Sequence, residues 1–238
     1  MKQKKIIMTG GSGRFAEVFK KLKNTKNIFF PSRKVLNLTS ISSIQKYVKK
    51  IKPNYLIHCA ALSRPMDIHE KNIEESITKN IIGTCNIVKV CSQEKIKLIY
   101  FSTNYVYPGI KGNYSENDPV LPINNYALSK LGGECAVQMY KNSLILRICM
   151  SEKPFIHKKA FNDVETNFMY HEDFAKNLLK LIDKNGVINV GGPKQIVFNF
   201  AKKTNPEVKP ISAKKMLGKK FPLKQSMNIN KYLKIIKN

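Results

Sequence analysis

The chain begins with a short apolar strand that passes through glycines into an amphipathic helix, KKIIMTGGSGRFAEVFKKL. This opening constrains the fold more than any other feature, because a strand, a glycine turn and a helix in that order start a βα unit and so a parallel sheet. Gly10, Gly13 and Ala16 occupy the three positions of G-x-x-G-x-x-A. The two glycines let the turn tighten and the backbone approach a pyrophosphate, and the small third residue lets the helix pack closely on the sheet. The helix N-terminus offers unpaired amides and a partial positive charge to phosphate oxygens. Gly10 and Gly13, with Arg14 and Phe15 at the helix start, are candidate contacts of a dinucleotide.

Strands and helices then alternate along the chain. NIFF reads as a strand, ISSIQKYVKKI as an amphipathic helix closed by Pro53, and NYLIHCAA as a buried strand ending in small residues. EESITKNIIGTCNIVKVCSQ is expected to be a helix with Ile77, Ile81, Ile82, Cys85, Val88 and Cys91 on one stripe, followed by the strand KLIYFST. YALSKLGGECAVQMYK, SLILRIC, DFAKNLLKLIDKNG, VINVGG and IVFNFAKKTN continue the alternation. The expected class is α/β, a Rossmann-type doubly wound parallel sheet covered on both faces.

Within NNYALSK, Tyr126 and Lys130 stand four residues apart, so on a helix they share a face. Upstream, the strand KLIYF delivers Ser102 and Thr103. A tyrosine with its usual pKa near ~10 is a poor proton donor and acceptor at neutral pH, and a neighbouring ammonium favours the phenolate. Tyr126 can then protonate a carbonyl oxygen that Thr103 or Ser102 hydrogen-bonds, with the carbon held for hydride attack.

A length of 238 residues fits one large domain, or a dinucleotide-binding domain with a small appendage. No apolar run reaches the ~18 residues of a membrane span, and the charged start MKQKK leads into a run too short for a signal peptide, so a cytosolic protein is expected. The five cysteines, Cys59, Cys85, Cys91, Cys135 and Cys149, lack a C-x-x-C or a histidine at metal spacing, and no metal is expected. The net charge of +26 raises nucleic acid as a rival partner. Against it, the basic residues are spread along the chain and only Arg14, Arg33, Arg64 and Arg147 are arginines, whereas specific nucleic-acid sites lean on arginine forks and aromatic platforms.

Taken in order, TGGSGRFA, HCAALSRP, NIIGTCNI, FSTNYVYPGIKGNYSENDPVLPINNYALSKLGGE, LRI, MYHEDFA and NVGGP make the chain resemble the extended short-chain dehydrogenase/reductases, in particular their dTDP-4-dehydrorhamnose reductase-like sugar-nucleotide group. The resemblance implies a catalytic triad of Thr103, Tyr126 and Lys130, with Ser102 beside it and Lys130 also holding the nicotinamide ribose. It implies that Cys59, Ala60 and Ala61 line the cofactor, and that Asn80 falls where the superfamily often has a structural asparagine. The implied activity is reduction of a 4-keto sugar nucleotide. A noncatalytic regulatory subunit and an epimerase of the same fold are the alternatives, since the family also includes a regulatory subunit of methionine adenosyltransferase. Homo-oligomerisation stays open.

NAD-preferring sites carry an acidic residue about 20 residues beyond the first glycines. NIFFPSRKVLNLTS has none, and Ser32, Arg33 and Lys34 suit a 2′-phosphate, which favours NADP and leaves NAD as the alternative. Asn104 stands where the family usually has Asp. Only RICMSEKPFIHKKAFNDVETNF separates the sixth core strand from MYHEDFA, where the family places a longer insert, so the division expected is a cofactor-binding core over 1–150 and a small, abbreviated substrate lobe over 151–238, interleaved with the last core elements. Arg64, Asn104, Tyr105 and Arg147 are the candidate substrate contacts, with Lys158 and Lys159 as further cations for a pyrophosphate. His157 and His171 read as local hydrogen-bonding residues.

Overall fold

The structure, a computed structural model, describes residues 4–21 and 25–237. Residues 1–3 of the charged start and position 22, the last of the expected first helix, lie outside the described residues. Along the chain, β1 (Ile6–Thr9) leads into α1 (Arg14–Lys20), followed by β2 (Ile28–Phe29), α2 (Ile41–Ile51) and β3 (Tyr55–His58). Two single-turn helices, α3 (Ile68–Lys71) and α4 (Ile73–Ser76), precede a π-helical turn over Ile77–Ile82 and then α5 (Gly83–Gln93). Next come β4 (Lys97–Thr103), a 3-10 turn over Asn104–Val106, α6 (Asn125–Gln138) and β5 (Ser143–Ile148). The later elements are β6 (Met150–Ser151), β7 (Lys159–Phe161), β8 (Glu165–Thr166), β9 (Met169–Tyr170), α7 (His171–Asn177), β10 (Gly186–Val190), β11 (Gln195–Ile196), α8 (Val197–Lys202), β12 (Lys209–Ile211), α9 (Ala213–Leu217) and α10 (Asn230–Lys237).

Six strands form the main sheet in the order β10-β5-β4-β3-β1-β2, with parallel pairing from β2 through β1 and β3 to β4. Strands such as IIMT and YLIH are buried at every residue, as a sheet covered on both faces requires. Because β1 lies between β2 and β3, the crossovers leave it in opposite directions, and ligands of such sheets bind at that switch point, beyond the carboxyl ends of the strands. Thr9 pairs with His58, so the turn after β1 and the loop after β3 leave the sheet side by side.

Two compact units share the chain, and each is entered more than once. The first holds Met1–Ser102, Asn124–Leu146 and Leu181–Val187; the second holds Thr103–Ile123, Arg147–Lys180 and Ile188–Asn238, so no single boundary separates them. In the first unit, strand residues Ile7, Leu56 and Leu98 pack with Ile44 and Val48 of α2 and with Ile87 and Val90 of α5. Helix α2 forms where expected: the Ser40 side chain accepts the Ser43 N–H, apolar residues recur at 44, 48 and 51, and Lys52 ends the helix at φ 53° before Pro53.

The expected stripe on the next helix is only partly realised. Ile77 and Ile82 are exposed at 41% and 45%, while Ser76, Asn80, Thr84, Ile87 and Cys91 make the buried face. A π turn at 77–82, whose rings span one more residue than those of an α-helix, lies within this stretch, and polar residues turn inward to bond there, Asn80 to Leu62 and Ser129 and Thr84 to the Asn80 carbonyl.

The second unit surrounds its own cluster, including Phe155, Ala160, Tyr170, Val197, Phe200 and Val208. Three short strand pairs, β6–β9, β7–β12 and β8–β11, tie its segments together. Asp163 closes the start of α9 by accepting the Ser212 hydroxyl at 2.6 Å and the Ala213 N–H at 2.7 Å. Among the described residues, no helix is long and apolar enough to cross a membrane.

Candidate active site

At the switch point of the first unit lies a cavity of about 220 Å³. Its walls include Gly10, Gly11 and Ser12 of the first turn, Arg33 after β2, Ala60 to Leu62 after β3, and Lys79 of the π turn. Gly10 has φ +72°, and a Cβ there would lie 2.9 Å from the Ala60 Cα; a Cβ on Gly11 would lie 2.7 Å from the Phe30 carbonyl. These glycines are required by close backbone approach, and the cradle they leave, with a helix N-terminus behind it and a guanidinium on its wall, fits the phosphates and adenosine of a dinucleotide.

The other expected cofactor residues take different places. Arg14 Nη2 donates to Ser63 Oγ at 3.3 Å, and Phe15 is buried edge-on against Phe101, ring centroids 5.2 Å apart, so its side chain belongs to the core. Ser32 and Lys34 are exposed, and of the three residues after β2 only Arg33 lines the cavity. Cys59 donates its thiol to the Thr9 carbonyl at 2.8 Å, and burial pushes the thiol up to about 12, so it acts as a neutral tie between β1 and β3.

Behind the cavity runs a buried hydrogen-bond chain whose polarity can be worked out. Thr84 Oγ1 donates its one hydrogen to the Asn80 carbonyl at 2.7 Å. Toward His58, 3.1 Å away, that hydroxyl can only accept, so His58 Nε2 carries the proton. His58 Nδ1 then accepts from Thr9 Oγ1 at 2.8 Å, and Thr9 Oγ1 accepts the Ala60 N–H at 3.3 Å. Burial lowers the His58 pKa to about 3, with the Lys130 charge adding to the effect, which keeps the ring neutral as the chain demands.

Asn80 completes this frame. Its Oδ1 accepts the Leu62 N–H at 2.7 Å, and its Nδ2 donates to the Leu62 carbonyl at 2.9 Å and to Ser129 Oγ at 2.8 Å; Ser129 in turn donates to the Tyr126 carbonyl at 2.8 Å. One side chain thus fixes both the cavity loop and the start of α6. Asn80→Ala is expected to cost about 3 kcal/mol in urea unfolding, because it leaves the half-buried Leu62 backbone groups and the buried Ser129 hydroxyl without this partner; a loss under about 0.5 kcal/mol, the range of an ordinary surface change, would sink that account.

Tyr126 and Lys130 lie on α6, which starts at the Asn124 cap, where Oδ1 accepts the Ala127 N–H at 2.8 Å. Tyr126 is half-buried, and its ring lies 5.2 Å from that of His69. His69 is itself buried, with Nδ1 2.7 Å from Ser76 Oγ and an Nε2 that has no hydrogen-bond partner. Lys130 is 3% exposed, its Nζ 4.2 Å from the centre of the Tyr100 ring. Burial lowers its pKa to about 7, against partial compensation by Cys59 and Glu134.

Ser102 and Thr103 end β4, and their hydroxyls differ. Ser102 Oγ donates to Glu134 Oε2 at 2.6 Å, a carboxylate that is 0% exposed, so its proton is already committed. Thr103 Oγ1 accepts the Tyr105 N–H at 3.3 Å, which leaves the hydroxyl hydrogen to donate. Of the two candidates for binding a carbonyl oxygen, Thr103 alone is chemically equipped for it.

The expected substrate residues fall in both units. Arg64 is exposed in the loop after β3 of the first unit. In the second unit, Asn104 is buried with Nδ2 unpartnered, and Tyr105 is half-buried in the 3-10 turn. Arg147 is 4% exposed; it donates to Tyr107 OH at 2.7 Å and to the Glu116 carbonyl at 3.2 Å, and Tyr107 also donates to Asn189 Oδ1. Both of these bonds lie inside that unit. Lys158 and Lys159 are exposed. His58, His69, Lys79 and Glu134 were missed from the sequence, though Glu134 carried a signal, four residues after Lys130 on the same helical face.

Residues 4–192 match the RmlD substrate binding domain family. Among curated relatives, a stretch of 119 residues is 35% identical to methionine adenosyltransferase 2 subunit beta of Xenopus laevis, covering 50% of this chain and 35% of that protein. A probable low-salt glycan biosynthesis reductase of Haloferax volcanii is 32% identical over 115 residues, 48% of this chain and 38% of its own length. The chain thus spans little more than a third of these relatives. A solved dTDP-4-dehydrorhamnose reductase from Bacillus anthracis, in complex with NADP, superposes with a TM-score of 0.85 at 26% identity, covering 97% of this chain and 92% of that one. That coverage limits how much the short connection between β5 and β9 can omit relative to that reductase.

Proposed function

The chain belongs to the RmlD substrate binding domain family, and from that premise we propose that it is an NADP-dependent reductase of a 4-keto sugar nucleotide, working in the cytoplasm. The observation that carries the reading is Lys130, buried one helical turn from Tyr126 with a pKa of about 7. Burial of an ammonium is costly, and a surface pair would have no need of it.

Gly10 and Gly11, with Gly13 at the start of α1, would admit the cofactor's phosphates, Arg33 would meet its 2′-phosphate, and Ala60 and Ala61 would lie along it. When bound, the reduced nicotinamide supplies the hydride. Thr103 donates its hydroxyl hydrogen to the substrate carbonyl and polarises it. Tyr126 gives its phenolic proton to the developing alkoxide, and charged Lys130 stabilises the phenolate left behind. Ser102, with its proton held by Glu134, fixes the end of β4 rather than touching substrate.

A second reading, a noncatalytic NADP-binding regulatory subunit, is favoured by the relatives described as methionine adenosyltransferase 2 subunit beta. Retention of Thr103, Tyr126 and Lys130 supports catalysis instead. The deciding experiment is incubation with NADPH and a panel of dTDP-, UDP- and GDP-4-keto-6-deoxy sugars, following absorbance of the reduced cofactor. Oxidation with one member supports the reductase; tight NADPH binding without oxidation by any member supports the subunit.

A further inference from the structure

Among the described residues, the cavity of the first unit has two cationic side chains on its walls and no carboxylate: Arg33, after β2, and Lys79, from the π turn. Sequence spacing points to the first and gives no hint of the second, because Lys79 lies far along the chain on a helix whose phase the π turn alters. Lys79 pairs with Glu75 one turn earlier, and the Glu75 backbone N–H is held by Asn72 Oδ1 at 2.9 Å. The pair is partly open to solvent, with side-chain exposures of 25% and 31%. An ammonium has three donors, so one bond to Glu75 leaves two for a ligand.

Resting on the cofactor reading above, we propose that Lys79 is the second cation of a 2′-phosphate site, acting with Arg33 to make the cavity select the phosphorylated dinucleotide. A phosphate monoester carries nearly two charges at neutral pH, more than one guanidinium balances. Arg33 offers a planar fork and Lys79 a point charge, a combination that suits a group with three acceptor oxygens. Glu75 holds the ammonium in position on the cavity wall, which reduces the side-chain ordering required when the ligand arrives. The remaining wall, with Leu36, Leu38 and Leu62, is apolar and suits an adenine ring.

Calorimetry with adenosine 2′,5′-bisphosphate and with 5′-AMP compares a ligand bearing the 2′-phosphate with one lacking it. The wild type is expected to bind the bisphosphate at least about tenfold more tightly. Lys79→Gln should lose about tenfold on the bisphosphate and less than about twofold on AMP, and Lys79→Arg should restore most of the difference. Lys79→Met provides the same comparison if the glutamine variant fails to fold. Equal losses on both ligands would mean that Lys79 meets the adenosine, and no loss on either would mean that it meets nothing; both overturn the proposal. A wild type that binds NADPH without preferring the bisphosphate overturns it as well, whereas a wild type that binds neither NADPH nor the fragments removes the cofactor reading itself.

Discussion

Tyr126→Phe is expected to lower turnover of a keto-sugar nucleotide by about 10²–10⁴-fold, the range that a positioned acid contributes, while leaving the affinity for NADPH within about twofold. The change removes one oxygen from a half-buried ring on α6 and leaves the helix start, held by Asn124, Ser129 and Asn80, in place. Stopped-flow measurement of the single-turnover rate separates the proton-transfer step from product release. A variant that turns over within a few-fold of the wild type would remove Tyr126 from the mechanism.

Lys130→Met is expected to stabilise the cofactor-free protein while abolishing most activity, and the stabilisation should depend on pH. In the unfolded chain the lysine takes up its proton near its ordinary value of about 10.4, whereas in the fold it does so only near 7. Between those values the unfolded state binds more protons, so wild-type stability falls as the pH drops from about 10 to 7 and is level below that. The variant has no such dependence. Its advantage, on the order of 5 kcal/mol from the lowered lysine pKa, should therefore be fullest below pH 7 and shrink toward pH 10. Urea unfolding at pH 6, 8 and 9.5 reads this directly; an advantage that grows with pH would mean that Lys130 is charged and well paired in the fold.

What the sequence revealed follows from where its information is local. The first βα unit was legible because a strand, a turn that Gly10 makes possible by its close approach to Ala60, and a helix follow in order, and α2 because its apolar spacing and Pro53 agree. The Tyr126 and Lys130 pair was legible because four residues on one helix fix their common face. The bonds of Arg147 to Tyr107 and Glu116 were not legible, because a lone arginine at a strand end reads the same whatever it meets. His58 and Asn80 owe their roles to partners that no spacing announces: Thr9 and Thr84 for the first, Leu62 and Ser129 for the second. The short strands β6 to β9, β11 and β12, two or three residues each, are too brief for a period of two to show.

The π turn at Ile77–Ile82 has a consequence for how this chain tolerates insertions and deletions. Inserting a further residue there, beyond the one the wider turn already takes up, would rotate α5 by about 100°, the angle per residue of an α-helix. Thr84 would leave His58, and Ile87 and Cys91 would leave the core. Substitutions at Thr78 or Ile82, which lack such buried bonds, should be absorbed far more easily than a change in their number. In this segment the count of residues is under stronger constraint than most of their identities.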